Sequence, residues 1–392
     1  MEPSQQQLEQ WAQAGVAALR RGDAAAARAA FTPITATGRA SIQVWLLLAQ
    51  SCDMLDDRDA ARAAINQVLA QDPANPYPLV MGGEIALRDG DDRAAVDWID
   101  RALAAADHHR EAGTNLPADL LERLARAEAA RSAALGRFEA SITNALAAKG
   151  VDAHAAGPRL AEALGILSGR QQPYLQQPTS FYFPRLPQVP FYDPADFDFV
   201  PGLVAALPAI RAEALAALAG GEGVAPYVAN APGRAIRSHA LLDDPRWSAF
   251  HFWTNGVPVG DHAARCPATV AALQAAPLPQ IKGYAPMGLF SILKPHTHIP
   301  PHHGLLNTRL ICHLPLVVPA GCRLRVGAET REVRTGEVLI FDDSIEHEAW
   351  NDSDEVRVIL LFEIWRPELT ATERAALTVM FETVAGYQAD QG

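Results

Sequence analysis

Six of the twelve histidines fall within residues 290–365, among short apolar runs. Two of them stand out for their chemistry. His302 follows Pro300-Pro301, and His347 lies 45 residues further on, in Glu346-His-Glu-Ala-Trp350. Neutral imidazole is a ligand for iron, zinc or copper. Ligands drawn from separate strands of one barrel have no fixed sequence spacing, so the 45-residue gap is no obstacle. The competing reading is that each is a hydrogen-bonded core residue. Arg357 stands in an otherwise apolar run, residues 356–362. A buried guanidinium requires an anionic partner, and a carboxylate held by two parallel hydrogen bonds suits its planar fork. That carboxylate belongs either to a ligand or to Asp342 or Asp343. Period-two alternation places Arg309, Ile311 and His313 on one strand face, opposite Leu310, Cys312 and Leu314. His296, His298 and His303 read as exposed or supporting residues.

These groups need a scaffold of strands. From Ile281 the pattern shortens to runs rich in Val, Ile, Leu and Phe, bounded by Gly, Pro and Asp: residues 288–293, 309–316, 323–326, 332–333, 338–341, 346–350 and 356–364. Seven or eight short strands with tight turns predict a double-stranded β-helix, the jelly roll of cupins, with its core at about 281–366. Helices are expected before it, at about 200–219 and 261–275. Residues 182–192, rich in aromatics and proline, read as an ordered arm rather than a flexible tether.

The N-terminal part repeats. Gly22, Asp56 and Gly90 are 34 residues apart, as are Ala27, Ala61 and Ala95, and Phe31, Ile65 and Ile99. Each unit reads as helix, short polar turn, helix. This period resembles the tetratricopeptide repeat, in which stacked helical pairs bury a continuous core. Such a stack offers a concave surface for a peptide or protein, or else serves as a packing domain. Residues 117–148 continue helical, with Leu120, Leu121, Leu124, Leu135 and Phe138 as an apolar stripe that caps the solenoid. The expected organisation is multidomain α + β: helical repeats over 1–110, capping helices and linker over 111–170, and the β-containing domain over 171–392.

Composition narrows the function. The net charge of −12 comes without a basic stripe, which argues against nucleic acid and against anionic membrane surfaces. Cys52, Cys266, Cys312 and Cys322 are scattered, as in a reducing compartment. The first residues, Met1-Glu-Pro-Ser, lack the basic and apolar regions of a signal peptide. The expected location is cytoplasmic, without stable membrane insertion.

A specific resemblance then appears. Residues 291–369 resemble the catalytic domain of the aspartyl/asparaginyl β-hydroxylase family. The residues that carry it are Pro301-His302-x-Gly304, Asn307-x-Arg309-Leu310, His313-Leu-x-Leu-Val-x-Pro319, Gly336-x-x-Leu-Ile-Phe-Asp-Asp-Ser344, Glu346-His347-Glu-x-Trp350, Arg357 and Trp365-x-Pro-Glu-Leu369. Animal members also place tetratricopeptide-like helices before this domain. The resemblance implies non-haem Fe(II), 2-oxoglutarate and O₂, with His302 and His347 as metal ligands. It implies Ser291, His313 and Arg357 as 2-oxoglutarate contacts, Arg357 on the distal carboxylate. Related oxygenases carry an acid two residues after the first histidine; Gly304 stands there, which implies two protein ligands and water in the vacancy. A further family arginine corresponds to Ile311, and Arg309 is the residue placed to compensate. The implied reaction is decarboxylation of 2-oxoglutarate to succinate and CO₂ coupled to hydroxylation of an unactivated carbon. The first substrate expectation is the β-carbon of Asp or Asn in a peptide or protein gripped by the repeats. The alternatives are a free amino acid, another small molecule or a lipid acyl chain, and a non-catalytic repeat scaffold.

Overall fold

The computed structural model describes residues 3–152, 155, 157–229 and 240–389; Met1, Glu2 and linker residues 153, 154 and 156 lie outside them. The chain divides into two compact units, residues 1–172 and 173–392.

The first unit is helical: α1 (Gln5–Arg20), α2 (Ala24–Thr35), α3 (Ile42–Met54), α4 (Arg58–Gln71), α5 (Pro76–Arg88), α6 (Asp92–Glu111), α7 (Ala118–Ala148) and α8 (Pro158–Leu167). The 34-residue period has a local cause at each turn. Gly22, Asp56 and Gly90 take positive φ of 77°, 56° and 75°, the left-handed conformation that ends one helix. Asp23, Asp57 and Asp91 then cap the next, accepting from the backbone N–H of Ala26, Ala60 and Ala94 at 3.0, 3.1 and 3.0 Å. Ala27, Ala61 and Ala95 are wholly buried, as are Phe31, Ile65 and Ile99. Small residues of the preceding helices receive these bulky ones. A Cβ on Gly15 would lie 2.5 Å from the Phe31 ring, and one on Gly83 would lie 2.6 Å from Ile99. α7 lays Leu120, Leu124 and Ala127 on the α5–α6 core. Leu121 and Phe138, expected in the same stripe, are exposed. Leu121 sits one residue, about 100°, round the helix from Leu120, and Phe138 falls beyond the α7 residues that join the α5–α6 core.

The second unit contains β1 (Phe191–Tyr192), α9 (Val200–Ala205), α10 (Leu207–Ala219), β2 (Ala225–Pro226), β3 (Trp247–Thr254), β4 (Val257–Pro258), α11 (His262–Arg265), α12 (Pro267–Gln274), β5 (Gly288–Leu293), β6 (Thr297–His302), β7 (Arg309–Val317), β8 (Cys322–Val326), β9 (Glu329–Glu332), β10 (Leu339–Phe341), β11 (His347–Asn351), β12 (Arg357–Trp365) and α13 (Ala371–Ala389). Among the described residues the larger sheet runs β1-β10-β7-β12-β5-β3-β2, with β4 on β3, and the smaller runs β6-β11-β8-β9. All pairings between these strands are antiparallel.

Strand alternation gives the large sheet two different faces. Leu310, Cys312, Leu314, Leu360 and Phe362 pack outward against α9, α10 and α12. Ile311, Phe341, Ile359 and Leu361 face inward and meet Ile299, Leu324, Val326 and Ala349 of the small sheet. The two sheets therefore enclose one interior, as in a jelly roll. The arm before β1 is tied down through a buried arginine. Arg366 donates to Asp342 at 2.6 Å, to the Tyr192 hydroxyl at 2.7 Å and to the Pro187 carbonyl at 2.5 Å. Gln176 donates to Asp342 at 2.7 Å, and Asn307 donates to Gln176 at 2.9 Å.

The repeated cap generates a test. Asp91→Ala removes the acceptor for Ala94 N–H and should cost about 1 kcal/mol. It should read as a lower urea midpoint for the helical transition of the full chain. An unchanged midpoint would refute the capping role.

Candidate functional site

His302 ends β6 and His347 begins β11, and the two are direct cross-strand partners. Their ring centroids are 4.1 Å apart and their planes inclined by 51°. Each ring is steered by its own strand: His302 Nδ1 lies 2.8 Å from the Pro300 carbonyl, and His347 Nδ1 lies 3.1 Å from the Ile345 carbonyl. A carbonyl accepts only, so both Nδ1 atoms carry a proton; in a neutral ring that leaves the lone pair on Nε2, the tautomer a metal ligand needs. Burial, reinforced by His302, holds His347 well below the usual imidazole range. The rings are close enough for one ion at the roughly 2 Å of an imidazole–metal bond. Among the described residues no group of three or more His, Cys, Asp and Glu is arranged around an ion.

Arg357 starts β12 and is only 2% exposed. It does not pair with Asp342, which Arg366 occupies, nor with Asp343. Its Nε has no hydrogen-bond partner. Burial lowers it to about 10, so it stays charged near neutrality. His313 is buried on β7 and lowered to about 3, first by burial and then by Arg357, so it is a neutral imidazole at physiological pH. Ser291 on β5 is 1% exposed and accepts from Trp247 Nε1 at 3.3 Å. The Phe341 ring bridges the groups, 4.9 Å from His313 and 5.6 Å from His347. On the other side Trp247 lies 6.2 Å from His302 and stacks on Tyr227 at 4.2 Å.

Arg309 is differently placed. Its Nη1 pairs with Glu363 of β12, and Nη2 lies 3.9 Å from Asp343. Burial opposes its charge, but Glu363 and then Asp343 outweigh that and raise it. Asp343 is itself raised to about 7, chiefly by burial, with Arg309 opposing and Asp342 and Glu363 adding. Its carboxylate lies against Gly304, where any Cβ would collide with it. The space two residues past His302 is thus filled by an acid from the turn after β10.

The sequence-derived residues therefore form one interior. His302, His347, Ser291, His313 and Arg357 line it, while Arg309 is bound to Glu363 at its margin. Trp247 and Glu363 were not singled out, and Asp343 was named only as a possible partner of Arg357, which it is not. Trp247 lies in an aromatic strand that carries no motif, and the two acids carry no spacing signal.

Comparison with known proteins gives a likeness for the domain that holds these residues. The fold and site define a double-sheet barrel with paired imidazoles and an uncompensated internal cation. Residues 205–367 match the family model described as aspartyl/asparaginyl beta-hydroxylase. This stretch, rather less than half of the chain, is similar to that family's domain. Aspartyl/asparaginyl beta-hydroxylase of Mus musculus is 41% identical over 144 residues, covering 35% of this chain and 18% of that protein. Aspartate beta-hydroxylase domain-containing protein 2 of Mus musculus is 36% identical over 141 residues, 34% of this chain and 40% of that protein. Ornithine lipid ester-linked acyl 2-hydroxylase of Rhizobium tropici is 32% identical over 188 residues, 47% of this chain and 63% of that protein. The chain thus spans about a fifth of the first relative and less than two thirds of each.

Asp343 gives a pH test. Folded, it keeps its proton to about pH 7, whereas an unfolded aspartate releases it near pH 4. Between those values the native state binds the proton more tightly, so this group's contribution to stability falls as pH rises. Asp343→Asn cannot ionise and removes the fall. In metal-free protein, the urea midpoint of the variant relative to the unsubstituted chain should be higher at pH 8 than at pH 5. A pH-independent difference contradicts the assignment.

Proposed function

We propose that the chain is an Fe(II)- and 2-oxoglutarate-dependent dioxygenase that hydroxylates an unactivated carbon. The observation that carries this reading is the buried, unpaired guanidinium of Arg357 in the barrel that also holds the His302–His347 pair. A dicarboxylate supplies the missing anion. His302 and His347 would hold iron through Nε2, a donor set suited to that ion. Gly304 offers no side chain of its own and has the Asp343 carboxylate against it, so these imidazoles would be the protein's share of the coordination. When bound, iron and 2-oxoglutarate supply the oxidising power: one oxygen atom of O₂ enters succinate, the other becomes the substrate hydroxyl, and CO₂ leaves.

This chain's residues bind, orient and exclude water. Arg357 takes the distal carboxylate of 2-oxoglutarate with the Ser291 hydroxyl beside it. His313, neutral over the working pH range, adds a hydrogen bond without a competing charge. Arg309, already held by Glu363 at the other end of that face, leaves the cosubstrate to Arg357, Ser291 and His313. Ile311, Phe341 and Leu361 keep the wall between these groups apolar.

The first substrate reading is the β-carbon of an Asp or Asn residue in a peptide or protein, with tetratricopeptide-like helical pairs gripping the polypeptide. A lipid acyl chain is the second reading, favoured by the name of the Rhizobium tropici relative and by apolar Ile311. No helix among the described residues is long and apolar enough to cross a membrane. A cytoplasmic location remains part of the proposal.

Anaerobic loading with Fe(II) and 2-oxoglutarate, then exposure to O₂ with a peptide library or a lipid extract, tests this. Succinate should form, with a one-oxygen mass gain in the peptide arm under the first reading and in the lipid arm under the second. His302→Ala and His347→Ala should reduce succinate to background. Succinate formation that survives either substitution refutes these two ligands, and the absence of any iron-dependent succinate formation leaves a scaffold. Arg357→Met should raise the 2-oxoglutarate KM about 30-fold or more, since a buried charge pair that loses one partner costs roughly 2–5 kcal/mol.

A further inference from the structure

The Glu346-His347-Glu348 run sets a carboxylate on each side of His347, and alternation turns both away from the interior that His347 faces. Both are gripped by one residue. Arg325, on β8 directly across from Glu348, donates through Nη2 to Glu346 at 2.8 Å and through Nε to Glu348. Its Nη1 donates to the Gly327 carbonyl at 2.7 Å, which leaves the guanidinium little freedom. The other oxygen of Glu348 lies 2.7 Å from His298 Nε2 on β6, four residues before His302. The His298 ring stacks on Trp350 at 5.0 Å, with only 2° between the planes. A continuous side-chain chain thus crosses from β8 through β11 to β6.

The backbone is weakest at that same place. Between His347 and Ala349 the β6–β11 register shifts: two steps on β11 oppose three on β6. There Glu348 alone opposes Pro300-Pro301, one residue more on β6, and proline has no N–H to give to a ladder. Main-chain pairing alone therefore leaves the spacing of His302 and His347 loosely set beyond the pair itself. Arg325 is 15% exposed and Glu348 11%, so the bracket is mostly sheltered from solvent.

We propose that Arg325 is a positioning residue for the imidazole pair. Its bracket on Glu346 and Glu348, continued to His298, fixes the separation of His347 and His302 and thereby the affinity of the site for a divalent metal. This rests on the reading that the two imidazoles share an ion.

Anaerobic Co(II) titration of the full chain, followed by its visible absorption, tests the inference. Arg325→Met should weaken Co(II) binding by about 10- to 100-fold and shift the Co(II) band, the range typical when an outer hydrogen-bonding partner of a ligand is lost. Arg325→Lys, which keeps the charge but not the fork, should fall between. Arg323→Met should bind as the unsubstituted chain does, because Arg323 touches Trp350 and Asp352 but neither neighbour of His347. Arg325→Met with an unshifted band and Co(II) affinity within about twofold, well inside that range, overturns the proposal. Should far-UV circular dichroism show Arg325→Met unfolded, the isosteric Glu348→Gln decides on the same criteria. A chain with no Co(II) binding, or with binding unaffected by His302→Ala, overturns the shared-ion reading and this inference with it.

Discussion

A positive charge buried inside an apolar barrel, with no counter-charge paired to it among the described residues, is the constraint on which the site depends. β12 begins with one arginine and is followed at once by another, and both are almost wholly buried. Arg366 is met by Asp342, the Tyr192 hydroxyl, Glu368 and the carbonyls of Pro187 and Asn307. Arg357 is met by none of these, and its Nε has no partner. Burying an uncompensated charge opposes folding, so neighbouring strands must over-determine its position. They do: Val358 to Phe362 is clamped between β5 and β7 and buried on both faces. One arginine serves the fold. The other has no such partner on its Nε among the described residues.

The paired arginine has its own consequence for the site. By holding Asp342, Arg366 fixes the turn that follows β10, and Asp342 in turn accepts from Ser344 N–H at 3.0 Å. Asp343 lies between them. Its backbone carbonyl accepts from Gly304 N–H at 2.6 Å, while its side chain fills the space beside Gly304. The packing that anchors the aromatic arm therefore also decides which atoms reach the ground next to His302. Stability and site geometry share residues here, so a side chain two places after this metal-ligand candidate would have to displace the Asp343 carboxylate.

The parts legible in the sequence were those written locally. The 34-residue period survives in the structure because each turn is built within a few residues, from one left-handed position and one aspartate cap. Most strands of the core could be read because one strip of apolar residues faces the interior and the next faces the helices. β6 could not, since Thr297–His302 carries two histidines and two prolines and has no apolar alternation. β3 was missed because its aromatics bury both faces, which removes the alternation that marks a half-buried strand. The partner of Arg309 was beyond reach for a different reason. Glu363 lies 54 positions away and meets it diagonally across two strands, a relation set by register. The same holds for Trp247 and Ser291, which meet only once β3 and β5 pair.

Register also explains how one small barrel keeps unlike chemistries apart. Along the inward face of β12 the residues are Arg357, Ile359, Leu361 and Glu363; along β7 they are His313, Ile311 and Arg309. The strands are antiparallel, with Leu361 opposite His313 and Glu363 opposite Ile311. The lone cation therefore stands at one end and the self-neutralised Arg309–Glu363–Asp343 group at the other, separated along β12 by six residues, roughly 20 Å. Between them lies an apolar belt. The unbalanced charge at one end would attract an anion, and the matched group at the other end would not. Had Ile311 been a second arginine, the cations would have formed a continuous track and that polarity would be lost. The belt makes the direction of binding a property of the strands themselves.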